Sequence, residues 1–278
     1  MVSGVLLLAL CGAAPPPSAE VFVKALREAT ARYHDREAAI ADGYRLIGGD
    51  FPAMGEHWIN IGLLFGGHHE PDRPEFLTYV DVAGTPRLTG VAYAVPLLPG
   101  ESPPAWPWAA ESWHDHAGTV EEETLLLHDE HAGHAVDHGE DGAPRPRLAM
   151  AHAWIWLTNP AGDFAADNWA LPYFRLGLAT PAEAPLASAK ALALVSGGAE
   201  HLTSVLEADG ARTASERRAV RKALEHCQRS VRGILGREGR SELDPSEVRR
   251  LADVWTQLWM DLDRALPTTT RSRIRAFR

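Results

Sequence analysis

The sequence of 278 residues contains only two cysteines, Cys11 and Cys227. So few cysteines exclude a disulfide-stapled scaffold, and 45% hydrophobic residues are enough to form a sizeable core. No run of about 18 apolar residues is present, which argues against a membrane-spanning helix. No repeat with a period of about 20–50 residues is visible, which argues against a solenoid. These absences leave a globular protein with its own core.

The sequence also lacks the short motifs that mark several large enzyme classes. It has no P-loop, no Gly-x-Gly-x-x-Gly after a strand, no Gly-x-Ser-x-Gly, no Cys-x-x-Cys and no His-Glu-x-x-His. These motifs position atoms for phosphate binding, nucleophilic attack, redox chemistry or zinc-assisted hydrolysis. Their absence argues against nucleotide binding, serine hydrolysis and the common metalloprotease mechanism.

Charge is distributed unevenly along the chain, which has a formal net charge of −10. The segment 212–278 nevertheless carries 16 Lys and Arg against 9 Asp and Glu. Because acidic residues are interleaved with the arginines there, we interpret this segment as a solvated basic surface and predict no nucleic-acid partner.

Residues 1–19 are typical of an export signal. A short apolar run at 5–10 is followed by small residues and three prolines. Leu-Ala-Leu-Cys-Gly at 8–12 resembles a bacterial lipobox, in which the cysteine becomes the lipidated first residue. We therefore expect a periplasmic or extracellular protein, attached to the membrane if Cys11 is lipidated. The alternative is a simple cleaved signal that ends near Ala19.

The hydrophobic pattern after the signal predicts an α+β fold. A spacing of three and four residues over 20–43 predicts an N-terminal helix. Runs of strand-forming residues, separated by Gly, Pro and acidic turns, predict an antiparallel sheet, either a half-barrel or an open layer. The predicted strands are 54–61, 75–82, 87–95 and 148–157.

The last hundred residues have a helical pattern instead. Capping motifs that begin at Thr180, Thr213 and Asp244 each have a Glu three residues later, and each predicts a helix start. We therefore expect an α+β domain at 20–178, followed by a helical region at 179–278.

Two predicted strands each carry a histidine among aromatic side chains. Because side chains alternate along a strand, His57 and His152 can converge on one face of the sheet. A buried imidazole needs a partner, and a metal ion is one such partner. We predict that His57, His152 and Glu75 bind a divalent ion, with Glu56 as the second candidate carboxylate. This set suits zinc or copper, with iron as a further candidate, and leaves a position for water or substrate.

Four short motifs surround these histidines. They are Met-Gly-x-His-aromatic-x-Asn, Arg-Pro-Glu-x-Leu-x-Tyr, Leu-x-Gly-Val-x-Tyr and His-x-Trp-x-Trp-x-x-Asn-Pro-x-Gly-x-Phe. The matching residues are Met54, Gly55, His57, Trp58, Asn60, Arg73, Pro74, Glu75, Leu77, Tyr79, Leu88, Gly90, Val91, Tyr93, His152, Trp154, Trp156, Asn159, Pro160, Gly162 and Phe164. With this set, about residues 30–170 resemble a family of uncharacterised secreted bacterial proteins. The resemblance implies that His57 and His152 are site residues, and it implies no particular reaction. The family's later Asn-Pro-Asn turn and Cys are missing here.

A second group of histidines lies in an acidic segment at 113–142. Its members are His114, His116, His128, His131, His134 and His138. Histidine-rich tracts bind divalent metal ions in readily exchanged sites, so we predict a metal-capture loop. The alternative is a solvated acidic insertion between two strands. His68 and His69 are candidates to extend the same surface.

Three functional hypotheses are compatible with these features. The leading one is an exported copper- or zinc-binding protein with a two-histidine site and a metal-capture loop. The second is a metal-dependent hydrolase or oxidase that uses the same site. Its candidate proton donors are Tyr44, Tyr79 and Tyr93. The third is a metal-free envelope module that binds a small-molecule ligand on an aromatic face. That face consists of Trp58, Trp154 and Trp156.

Overall fold

The computed structural model describes residues 18–66, 70, 72–103, 112–116, 147–207, 213–236 and 239–268. Within these ranges the chain has the predicted α+β fold, with an antiparallel sheet, an N-terminal helix and C-terminal helices. Nearly all of the predicted export signal lies outside the described residues. No helix in the described part is long and apolar enough to cross a membrane.

The predicted N-terminal helix consists of three shorter elements. Helix α1 spans Ala19–Thr30, a 3₁₀ turn spans Ala31–His34, and helix α2 spans Arg36–Ala41. The break falls at Asp35, whose backbone is extended and whose side chain accepts a hydrogen bond from the backbone N–H of Glu37. A continuous helix over 20–43 is therefore wrong, because Asp35 caps a new helix instead of continuing the first one.

The sheet contains six antiparallel strands in the order β1-β2-β3-β4-β6-β5. The strands are β1 Arg45–Phe51, β2 Gly55–Ile59, β3 Phe76–Val82, β4 Thr85–Leu97, β5 His114–His116 and β6 Arg147–Ala153. The four predicted strands correspond to β2, β3, β4 and β6. The two edge strands, β1 and β5, were not predicted. A short helix α3, Ile61–Leu64, follows β2.

Both faces of the sheet are covered by apolar side chains. Phe22 and Leu26 of α1 pack on one face, together with Leu77 and Tyr93 of the sheet. We call this side the helix face. The other side carries a smaller apolar cluster that includes Phe76, and it also carries the histidines described below. We call it the histidine face.

The C-terminal region contains five helices among the described residues. They are α4 Leu171–Arg175, α5 Leu186–Ala193, α6 Ala199–Val205, α7 Ala214–Leu235 and α8 Pro245–Ala265. Capping boxes at Thr213 and Asp244 confirm two of the predicted helix starts. The start predicted at Thr180 is wrong, because the next helix begins at Leu186. Pro185 precedes that helix, and it has no N–H for the interior of a helix that starts at Thr180.

Helix α4 contacts both the sheet and the C-terminal helices. Its Leu171 packs with Val80 in a cluster on the sheet. Its Tyr173 belongs to the core of the helical region, and its hydroxyl lies 2.7 Å from the hydroxyl of Ser188. A division of the chain into two domains near residue 178 stays a prediction.

Candidate functional site

His57 and His152 lie on the same face of the sheet, as strand alternation predicts. In β2, His57 is paired with Thr78 of β3, and Phe76 therefore shares its face. Phe76 is paired with Ala92 of β4, which in turn is paired with His152 of β6. The register across four strands thus places both imidazoles on the histidine face.

The two imidazoles meet because the sheet is curled. Strands β3 and β4 lie between β2 and β6, so a flat sheet would separate the two backbones by about 14 Å. The Nε2 atoms of His57 and His152 are nevertheless 3.1 Å apart. The sheet therefore curves around its histidine face. Two small residues of the central strands, Gly90 and Ala92, lie on this concave side, and the backbone of Ala153 closely approaches Gly90.

The two facing nitrogens form a buried pair. The exposed fractions are 7% for His57 and 0% for His152. At 3.1 Å, one ring donates its Nε2–H to the lone pair of the other, and the tautomers decide which ring donates. The pair therefore holds a single hydrogen atom between two atoms that are both good metal ligands.

Aromatic rings fix the orientation of both imidazoles. The ring of His152 stacks against Trp154, with centroids 5.4 Å apart and planes 22° apart. Phe51 and Phe76 meet the ring of His57 edge-on, at centroid distances of 6.1 Å and 6.2 Å. These packed neighbours limit rotation of each imidazole and keep the Nε2 edges directed at each other.

A third histidine lies beside the pair, and we did not predict it for this centre. His114 of β5 is paired with Met150 of β6, so it shares the face of His152, two residues further along β6. His114 is 4% exposed, and its ring stacks on that of His152, with centroids 5.1 Å apart and planes 15° apart. The sequence signal was present, because His114 opens the histidine-rich segment. Nothing in the sequence indicated, however, that the strand carrying His114 pairs with β6.

Glu75 lies on the opposite face of the sheet from the histidine pair. His57 is paired with Thr78, and Glu75 precedes Thr78 by three residues, so its side chain points to the helix face. There it is fully buried and accepts a hydrogen bond from the backbone N–H of Ala94. Burial first, and the nearby Glu75 second, raise the pKa of Tyr93 on that face. The structure therefore does not bring Glu75 to the predicted ion.

The tyrosines considered as proton donors also lie on the helix face. Tyr44, Tyr79 and Tyr93 belong to the apolar cluster beneath α1. The hydroxyl of Tyr44 donates to the carbonyl of Pro74, and that of Tyr79 donates to the carbonyl of Tyr33. Burial is the main cause that raises the pKa of all three phenols. The three phenols thus lie on the opposite face of the sheet from the histidine pair, and their role as proton donors stays a prediction.

The three tryptophans do not form one aromatic face. Trp58 lies on the helix face, where its Nε1–H donates to Glu56, whereas Trp154 stacks on His152 on the histidine face. Trp156 contacts His34, with ring centroids 4.3 Å apart. Glu56 accepts this hydrogen bond from Trp58. Because Glu56 directly precedes His57 in β2, its side chain points to the helix face, away from the histidine pair.

No three His, Cys, Asp or Glu side chains within the described ranges stand in positions to hold one ion. Glu75 lies on the opposite face of the sheet, and the ring of His114 is stacked parallel to that of His152. In the predicted capture loop, His128, His131, His134 and His138 lie outside the described residues, as do His68 and His69. Only the backbone of His116 is described, at the end of β5.

Comparisons with protein-family models, curated proteins and solved structures gave no match. The resemblance to a family of secreted bacterial proteins therefore stays a prediction.

Proposed function

We propose that the protein binds a divalent transition-metal ion, zinc or copper, through the Nε2 atoms of His57 and His152. Iron is the further candidate. The observation that carries the proposal is the 3.1 Å separation of two buried imidazole nitrogens that come from strands far apart in the sheet. The predicted export and lipid attachment stay predictions beside this proposal.

The separation of the two nitrogens suits a shared ion. Zinc–imidazole bonds are about 2.0–2.1 Å long. Two such bonds to atoms 3.1 Å apart enclose an angle of about 95–102° at the ion. This angle lies between the 90° of a tetragonal copper(II) site and the tetrahedral angle of zinc. The ion would lie to one side of the line between the two nitrogens, so it replaces the shared hydrogen only when the rings turn their lone pairs toward that point.

The side chains around the histidine pair favour tight rather than weak binding of an ion. Buried apolar side chains, including Ile59, Phe76 and Met150, surround the pair and exclude water that would compete for the ion. Both ligands lie on strands of one sheet and are oriented by stacked or edge-on aromatic rings. A preorganised pair loses little conformational entropy when it binds an ion.

We propose binding rather than turnover as the role of this centre. The tyrosines that were candidates for proton transfer lie on the helix face, behind the sheet. The predicted aromatic platform for a small molecule is divided between the two faces. Capture or delivery of an ion requires neither.

The test is elemental analysis of purified, metal-reconstituted protein and of a His57→Gln and His152→Gln double variant. Glutamine keeps a side chain that forms hydrogen bonds, and circular dichroism checks that the variant folds. His226→Ala is the matched control, because His226 is an exposed histidine on α7. After dialysis against a weak chelator removes loosely bound ions, the expected result is one equivalent in the wild type and the control, with none in the folded double variant. No metal in the wild type, or equal metal in the double variant, overturns the proposal.

A further inference from the structure

We propose that His114 is the third protein ligand of the bound ion, and that it reaches the ion by rotating out of its stack on His152. This inference rests on the proposed function. It assigns to the central site a histidine that belongs, by sequence, to the histidine-rich segment. It also defines two states of the site, one with His114 stacked and one with His114 coordinated.

The position of His114 in the sheet allows this role. It lies on the strand adjacent to that of His152, on the same face and displaced by two residues. Diagonal neighbours of this kind have Cβ atoms within about 7–8 Å, which two imidazoles can bridge through one ion. His57 approaches from the other side of the curled sheet. The three side chains thus surround one volume on the concave face.

The stacked orientation explains why the three histidines do not form a site as they stand. The lone pair of an imidazole nitrogen lies in the plane of its ring. The rings of His114 and His152 are within 15° of parallel, with centroids 5.1 Å apart. An ion in the plane of His152 therefore lies outside the plane of His114. Rotation of the His114 side chain about its own bonds is the change that removes this mismatch.

The location of His114 allows the backbone to adjust when the buried ring rotates. Strand β5 has three residues, lies at the edge of the sheet and pairs only with β6 among the described strands. Short edge strands are more easily deformed than central ones. His57 and His152, by contrast, lie on strands with partners on both sides. The structure thus combines two fixed imidazoles with one on an adaptable edge.

His114→Phe is the variant that separates coordination from packing. Phenylalanine keeps an aromatic ring for the stack on His152 and removes both nitrogens. The affinity for zinc is measured by competition with a chromophoric chelator. The number of coordinated imidazole nitrogens is measured by pulsed electron paramagnetic resonance of the copper(II) form. His114→Ala is measured beside it, and the exposed His226→Ala variant is the control.

We expect one ion with three imidazole ligands in the wild type and two in His114→Phe. The affinity should fall at least about tenfold, the lower end of what the loss of an outer partner of a metal ligand costs. Unchanged affinity and an unchanged nitrogen count in His114→Phe overturn this inference and leave the two-histidine proposal standing. Weaker binding in His114→Ala that His114→Phe restores also overturns it, because the ring then acts only by packing. A wild type that binds no ion overturns both proposals.

Discussion

Gly90→Ala tests the close approach of β4 to the end of β6, on the face of the sheet that carries the histidine pair. Gly90 lies in β4 on the concave side, where it is paired with Thr78 and approaches β6. A Cβ added at this position would lie 2.6 Å from the carbonyl oxygen of Ala153, although real Cβ atoms keep at least 3.0 Å. The same Cβ would lie 3.2 Å from the Cα of Trp154. Because these contacts are backbone atoms, the strands themselves must separate by about 0.4 Å or more.

Overpacking of this kind costs about 1–3 kcal/mol of unfolding free energy. Urea unfolding followed by circular dichroism measures this cost. Gly233→Ala is the matched control, because an added Cβ meets nothing within 4 Å there and the residue lies in helix α7. The control should gain about 0.5–1 kcal/mol from helix propensity. A Gly90→Ala protein as stable as the wild type would refute the close approach of β4 and β6.

Three further results are expected. The Ser246 hydroxyl and neighbouring backbone N–H groups hold the pKa of Asp244 below its ordinary 3.8. The stability that this charged cap contributes is therefore present above pH 3.8, and it is lost as the pH falls through the lower pKa of the folded state. Asp244→Asn, which caps without titrating, should make the acid side of the unfolding midpoint flatter, and an unchanged profile would contradict this. Burial raises the pKa of the Cys227 thiol to about 12, so a Cys11→Ser protein should react with a thiol reagent only after denaturation, and rapid labelling of the folded protein would be inconsistent with this burial. Replacement of 118–145 by a short Gly–Ser linker should remove additional, weakly bound ions and keep one tight equivalent, whereas unchanged stoichiometry would argue against a capture loop.

The sequence correctly predicted those features that depend only on residues close together in the chain, such as helix starts. Thr213 and Asp244 start helices because each side chain and the Glu three residues later satisfy backbone N–H groups. Thr180 has the same local pattern, but Pro185 follows where the helix would need an N–H donor. That proline was a readable signal against the helix.

Strand pairing was the part that local signals did not contain. Strand β1 has an almost wholly exposed pattern and a register shift between Ile47 and Asp50, so it shows no alternation to detect. Strand β5 has only three residues, too few to show the alternation of apolar and polar side chains that marks a strand. Strand β5 pairs with β6, which lies beyond the histidine-rich segment, whereas β1 pairs with β2, the next strand along the chain.

The same limit explains why the histidine pair was predicted and Glu75 was not correctly placed. Alternation within β2 and β6 gives the two faces of each strand, but the register between strands decides which faces coincide. The observed pairing of His57 with Thr78 puts Glu75 on the helix face. A shift by one residue would have put it beside the histidines. The register between strands also places His114 beside the histidine pair, because His114 is paired with Met150 of β6.

The central claim is that His57 and His152 share one ion, and long-range ¹H–¹⁵N correlation spectra of the histidine side chains test it most directly. The spectra report the protonation and metal coordination of each ring nitrogen, and the single Gln variants assign the resonances. Without metal, one Nε2 should carry hydrogen and the other should accept it. One equivalent of zinc should shift both Nε2 resonances together to values typical of coordinated nitrogen. If both resonances stay unchanged with excess zinc, the pair is a hydrogen bond in the core and the proposed function is wrong.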